Sequence, residues 1–221
     1  MKKIFVSLAA AICISGTANA QVLNFEGIAI GSGGTPIGNY YNGGAGTNFG
    51  ISFFGNALAI NSSVGGCGGS GNFALQPSGC GALFFLEGGA TGMNRSAGFT
   101  TGFSLFYSAV NSPGSLQVWS GLNGTGSILA SLGLPTTPNG NSLPGCLGRA
   151  FCPFSAVGIG FTGTAQSIVF AGVADQIAFD DITFGSTTPG TVVPEPSTYV
   201  LMAAGLAALG FVSRRRRAMQ V

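Results

Sequence analysis

Residues 98–107 read Gly-Phe-Thr-Thr-Gly-Phe-Ser-Leu-Phe-Tyr, with Phe99, Phe103, Leu105 and Tyr107 on odd positions and mostly small or polar residues between them. A period of two is that of a strand with one face turned into a core. Leu116 and Val118 repeat the pattern, as do Ile128, Ala130, Leu132 and Leu134, and then Val157, Ile159 and Phe161. The alternation predicts strands near 22–28, 49–54, 72–75, 82–87, 98–108, 115–120, 127–134, 155–162, 166–172 and 176–184. The separators are Gly, Asn, Pro and Ser clusters such as Ser112-Pro113-Gly114 and Asn123-Gly124-Thr125-Gly126, which supply turn positions. Outside the two ends of the chain no window carries a 3.6-residue apolar stripe. The expected fold is all-β, an antiparallel jelly-roll-like sandwich in one domain over residues 21–185.

Composition narrows the chemistry. The chain has 221 residues, 39 of them Gly, and no His. Without imidazole there is no Ser-His-Asp or Cys-His machinery and no histidine zinc site. Of the eight basic residues, Lys2 and Lys3 open the chain and Arg214, Arg215, Arg216 and Arg217 nearly close it. Between them only Arg95 and Arg149 face Glu26, Glu87, Asp175, Asp180 and Asp181, so the middle is acidic although the whole chain carries +2. An acidic middle with no basic cluster cannot neutralise a row of phosphates, which argues against nucleic acid as a partner. Five scattered acids and no lysine in the middle leave only carboxylate chemistry, so no enzyme is expected.

The ends read as addresses. Residues 1–20 combine Lys2-Lys3, an apolar run from Ile4 to Ile14 and Ala18-Asn19-Ala20, the pattern of a signal peptide cut between Ala20 and Gln21. At the other end, a linker over 186–192 leads to Pro194-Glu195-Pro196, an apolar stretch over about 197–213, and the four arginines. Seventeen residues of helix span about 25 Å, the lower edge of what crosses a bilayer, and adjacent arginines suit a cytoplasmic stop-transfer flank. The expectation is a precursor anchored in the cytoplasmic membrane by this helix, its N-terminal domain in the periplasm and its C-terminus in the cytoplasm.

This tail, over 193–217, resembles the PEP-CTERM sorting signal: a Val-Pro-Glu-Pro-Ser box at 193–197, a short transmembrane stretch and a terminal Arg cluster. The resemblance implies recognition by an exosortase, an integral-membrane cysteine protease-transpeptidase of Gram-negative bacteria that often make exopolysaccharide. It makes Pro194, Glu195, Pro196 and Arg214 to Arg217 sorting residues and implies delivery to the cell surface or extracellular matrix. A plain single-pass anchor uses the same hydrophobic physics and differs only in whether the box is cut. Leu23–Gly27, Val118–Ala130 and Ile177–Gly185 look like PEP-CTERM proteins with a jelly-roll exported domain, which supports the fold and names no ligand.

Cys67, Cys80, Cys146 and Cys152 are an even set in an exported chain, so two disulfides are expected. Spacing favours Cys67–Cys80 and Cys146–Cys152, each pair within one Gly- and Pro-rich loop; pairing across the loops, or a four-thiolate zinc site, are the alternatives. Asp180 and Asp181, as strand neighbours, are expected on opposite faces, with Asp181 inward if it shares the side of Ile177 and Phe179. Phe25-Glu26 and Asp180-Asp181-Ile182 are similar to the segments with which carbohydrate-binding jelly rolls hold a structural Ca²⁺. That similarity implies Glu26 and Asp181 as Ca²⁺ ligands, against solvated carboxylates at strand ends.

For function, a structural or adhesive surface module leads. A carbohydrate-binding module holding exopolysaccharide is the second class, with Tyr40, Tyr41, Tyr107 and Trp119 as candidate aromatics. Leu116 and Val118 set an alternation that leaves Trp119 on the opposite face; packing against a second sheet is its other reading.

Overall fold

The computed structural model describes residues 21–28 and 33–190, all within one compact unit spanning Ala20–Val192. The expected signal peptide with Ala20, the sorting residues Pro194, Glu195 and Pro196, the apolar stretch and Arg214 to Arg217 lie outside the described residues. Among the described residues no helix is long and apolar enough to cross a membrane.

Among the described residues twelve strands form two antiparallel sheets: β1 Gln21–Leu23, β2 Thr35–Pro36, β3 Ile51–Gly55, β4 Leu58–Asn61, β5 Gly81–Phe84, β6 Ala90–Phe99, β7 Gly102–Ala109, β8 Gly114–Trp119, β9 Ile128–Leu134, β10 Ser155–Gly160, β11 Ala165–Ala171 and β12 Ile177–Phe184. One sheet has seven strands in the order β10-β7-β12-β5-β4-β2, with β1 also paired to β12; the other runs β3-β6-β11-β8-β9. First and last strands pair, Gln21 opposite Phe184 and Leu23 opposite Ile182. The all-β antiparallel sandwich is thus the fold that the alternation predicts.

The inner faces carry the predicted residues. Phe99, Phe103, Leu105, Tyr107, Leu116, Val118 and Leu134 are buried in the core, joined by Phe170, Phe179 and Phe184. Rings interlock edge to face, as in Phe99–Phe184 at 4.9 Å and Phe103–Phe184 at 5.5 Å. Each such ring buries enough apolar area to contribute about 1.5–3 kcal/mol.

Three expectations are corrected. The segment 98–108, read as one strand, is divided between the two sheets: β6 belongs to the five-stranded sheet, β7 to the seven-stranded one, and Thr101 between them has φ +73°. Residues 72–75 form no strand, only a bridge between Phe73 and Phe151. The strands Thr35–Pro36, Leu58–Asn61 and most of Ala90–Phe99 are not predicted by the alternation; in β6 only Met93 and Phe99 are buried large apolar residues.

The outer face of the seven-stranded sheet is covered rather than open. The loop 62–80 lies over β4, β5 and β12, and the loop 135–154 packs against it through Phe151 and reaches β7 through Thr137. On the other side Ser186–Gly190, expected as linker, folds back over β7 and β10. Gly102 and Gly158 give it room: a Cβ on Gly102 would stand 3.0 Å from the Ser186 carbonyl carbon, and one on Gly158 would fall on the Thr187 carbonyl. Gly190 N–H donates to Thr183 Oγ1 at 3.1 Å, which closes the strap.

Candidate functional site

The two covering loops form a lobe held by disulfides. Cys67–Cys80 and Cys146–Cys152 are both formed, with Cα atoms 5.4 and 5.7 Å apart, the pairing that spacing favoured. Phe151 N–H donates to the Asn72 carbonyl at 3.1 Å, and Ala150 N–H donates to Asn72 Oδ1 at 3.3 Å, so the second loop is laced to the first. Ser62 Oγ donates to the Phe73 carbonyl at 2.6 Å. Cys146, Cys152 and Ala74 make a small core of their own beneath Val64.

Between this lobe and the sheet runs a cleft of about 160 Å³. Ser70, Gly71, Asn72, Phe73 and Phe151 line the lobe side; Ile60, Phe84, Leu86, Asp175, Ile177 and Ala178 line the other. Ile60, Phe84 and Ala178 reach it because they alternate with core-facing Ala59, Leu83, Ile177 and Phe179. The loop that carries Asp175 is pinned by its backbone, Asp175 N–H donating to the Phe85 carbonyl at 2.9 Å with φ +60°. Sequence reading missed this site. The available signal was the pair of Cys-closed loops, each with a phenylalanine inside it.

Beside the cleft the carboxylates gather. Asp180 is fully buried, and its carboxyl accepts from Ser78 N–H at 3.1 Å, from Ser78 Oγ at 3.1 Å and from Asp181 N–H at 2.7 Å. Burial pushes the Asp180 carboxyl up to about 8; the Asp181 charge adds to this, and the bonds from Ser78 and Asp181 oppose it. Asp181, half-buried, is also raised, first by burial and then by the Glu26 charge, against a lowering contact from Ser78.

The expected opposition of the two aspartates is therefore overturned. A bulge puts three steps of β12, Asp180 to Thr183, against two of β7, Phe106 to Ser104, with Asp181 at φ +46°. One extra residue resets the alternation. Ile177 and Phe179 face the core before the bulge and Ile182 and Phe184 after it, while Asp181 drops out of the inward series. The buried acid is Asp180, beneath the lobe.

Glu26 Oε1 accepts from Cys80 N–H at 2.7 Å and Gly81 N–H at 2.6 Å. Gly79 and Gly81 leave room for this carboxylate, since a Cβ on either would press against Glu26 or Phe25. Among the described residues no group of three or more His, Cys, Asp or Glu side chains is placed to hold a metal ion. The Glu26 charge reaches Asp181, and what Glu26 binds here is backbone amide.

Of the candidate aromatics, Tyr41 and Tyr107 are buried. Tyr41 Oη accepts from Phe25 N–H at 3.1 Å, and burial raises its hydroxyl above the ordinary range; Tyr107 Oη donates to the Pro135 carbonyl at 3.0 Å. Tyr40 packs edge-on against Tyr41 at 4.8 Å. Trp119 lies half-buried on the outer face of the five-stranded sheet, opposite Ser167 and Ile128, with its Nε1 buried and unpaired.

Residues 192–217 match the PEP-CTERM protein-sorting motif. No curated protein matches the chain. Among solved structures, the chain is 18% identical to CsCBM6-3 from Clostridium stercorarium in complex with cellobiose, covering 62% of this chain and 87% of that one at a TM-score of 0.37. It is 12% identical to the K2 cleaved adhesin domain of Lys-gingipain, covering 76% and 99% at a TM-score of 0.47. It is 10% identical to a family 11 carbohydrate-binding module from Clostridium thermocellum, covering 76% and 96% at 0.34.

Proposed function

We propose that the protein is an exported, exosortase-sorted component of the surface or extracellular matrix of a Gram-negative bacterium, and that its sandwich is a structural or adhesive module rather than an enzyme. The sorting motif at 192–217 carries this reading. The two disulfides agree with it, because such bonds persist in oxidising compartments. In this reading residues 1–20 direct export and are cut after Ala20, Pro194-Glu195-Pro196 is the recognition box, and the stretch over 197–213 holds the precursor in the membrane until the box is processed. Intact mass of the protein from the cell surface tests it. A chain that begins at Gln21 and lacks residues 197–221, and that keeps them when the exosortase is deleted, is the expected result. A surface form retaining 197–221 in the parent strain replaces sorting with a plain anchor.

A second reading, a carbohydrate-binding module that retains exopolysaccharide, is favoured by the cleft, where aromatic walls meet a carboxylate and an amide. Binding of neutral oligosaccharides by the mature protein tests it.

A further inference from the structure

We propose that the cleft between the disulfide-held lobe and the seven-stranded sheet is the site for a single non-acidic hexose residue of a polysaccharide, with Asp175 and Asn72 taking its hydroxyls. This rests on the carbohydrate-binding reading and names the site that would carry it, in place of Trp119.

Size sets the first limit. At about 160 Å³ the cleft is well below the about 300–1,000 Å³ of pockets that enclose drug-sized ligands. One sugar ring fits that description and a run of several does not, so the remainder of a chain would pass outside.

The walls set the second limit. Phe73 and Phe84 are 2% and 7% exposed and form an apolar floor with Phe151, while Leu86, 44% exposed, stands at the rim. Such a surface accepts the C–H face of a pyranose. It gives nothing to a hydrated metal ion.

The polar groups set the third. Asp175 is exposed, and among the described residues its carboxylate has no hydrogen bond or ion pair; it can only accept. Asn72 uses its Oδ1 on Ala150 N–H, which turns its Nδ2 into the free, donating half of the amide. An acceptor and a donor on one small rim match adjacent hydroxyls, each of which can both give and take a hydrogen bond. Arg95 and Arg149, the two cations of the domain, do not line the cleft, so a uronate or phosphate would face Asp175 with no counter-charge.

The frame is rigid. Asn72 lies inside the loop closed by Cys67–Cys80, and Phe151 inside the one closed by Cys146–Cys152. Little ordering remains to be done on binding, which favours affinity from few contacts.

Calorimetry on the mature protein with four probes tests the site: the β-1,4- and β-1,3-linked glucose tetrasaccharides, an α-1,4-galactose tetrasaccharide and tetragalacturonate. At least one neutral probe is expected to bind and tetragalacturonate is not. Asp175→Asn keeps the left-handed backbone that Asn tolerates and removes the charge; it should weaken binding roughly tenfold. Trp119→Ala should leave it within twofold. Binding that survives Asp175→Asn and is lost in Trp119→Ala moves the site to the other sheet and leaves the carbohydrate reading standing. Preferred binding of tetragalacturonate overturns the assignment of a non-acidic sugar. If no probe binds, the carbohydrate reading falls and this site with it.

Discussion

Asp180→Asn, measured as a function of pH, probes the most unusual group in the domain. The Asp180 carboxyl holds its proton up to about pH 8 in the folded protein, against about 3.9 for an unperturbed aspartate. The folded state therefore binds more protons than the unfolded one between these values. The stability this confers is complete below about pH 4 and is lost as the pH rises through 8. Each pH unit in which the two states differ by a full proton costs about 1.4 kcal/mol, so the step from pH 5 to pH 8 removes about 4 kcal/mol. In a domain of this size that is a fall in Tm of about 8–16 °C. The chain has no His, which leaves this window free of the side chain that ordinarily titrates there. Asp181, raised by the same burial, adds to the fall in the same direction. In Asp180→Asn one acceptor becomes an NH₂ facing the Ser78 donors. The variant should start about 1–3 kcal/mol less stable at pH 5 and lose much of the slope. Thermal melts by circular dichroism at pH 5, 6, 7 and 8 give both numbers. A parent Tm that is flat or rises over this range, or a variant that keeps the full parental slope, refutes the buried, protonated Asp180.

Further outcomes follow from the same contacts. Cys67 and Cys80 are 13 residues apart, so Cys67→Ala with Cys80→Ala should lower stability by about 3 kcal/mol, or about 6–12 °C in Tm, by the loop-closure account; an unchanged melt contradicts it. Glu26→Ala strands the Cys80 and Gly81 amides and should cost about 2–4 kcal/mol in urea unfolding, whereas Glu26→Gln keeps an acceptor and should cost under about 1 kcal/mol. Equal losses in the two would point to the charge, and then a melt with and without EGTA asks whether Ca²⁺ is involved. Gly158→Val places a side chain on the Thr187 carbonyl and should release the strap; limited proteolysis should then cut at 186–190 at least tenfold faster, with the rest of the domain resistant.

What the sequence made legible was the inward face. The odd positions of β7 and the pair Leu116 and Val118 followed from a period of two, because burial of one face is the dominant force on a strand. Where that signal failed, something other than one-sided burial set the residues. β6 runs between β3 and β11 with Gly92 beneath the Phe54 ring, so small residues stand where an apolar alternation is looked for. At Asp180-Asp181 the strict period gave the wrong acid, since a bulge carries no compositional mark except a residue that tolerates positive φ. The disulfide pairing was legible because chain proximity decided it. The cleft was not, because Asn72, Phe151 and Asp175 lie far apart in sequence and meet only when two loops fold over the back of a sheet. Glycine shows the same division. At Gly124 and Gly126 it makes turns, as its clusters suggest, with φ of +67° and +80°. At Gly158 it sits in a strand with no turn to make, and its use there, as at Gly102, is the absence of a Cβ beneath the strap. A composition that looks like low complexity therefore does two kinds of structural work, and only the first follows from position between strands. The second requires knowing that the stretch after β12, which reads as linker, turns back and occupies the space those glycines leave.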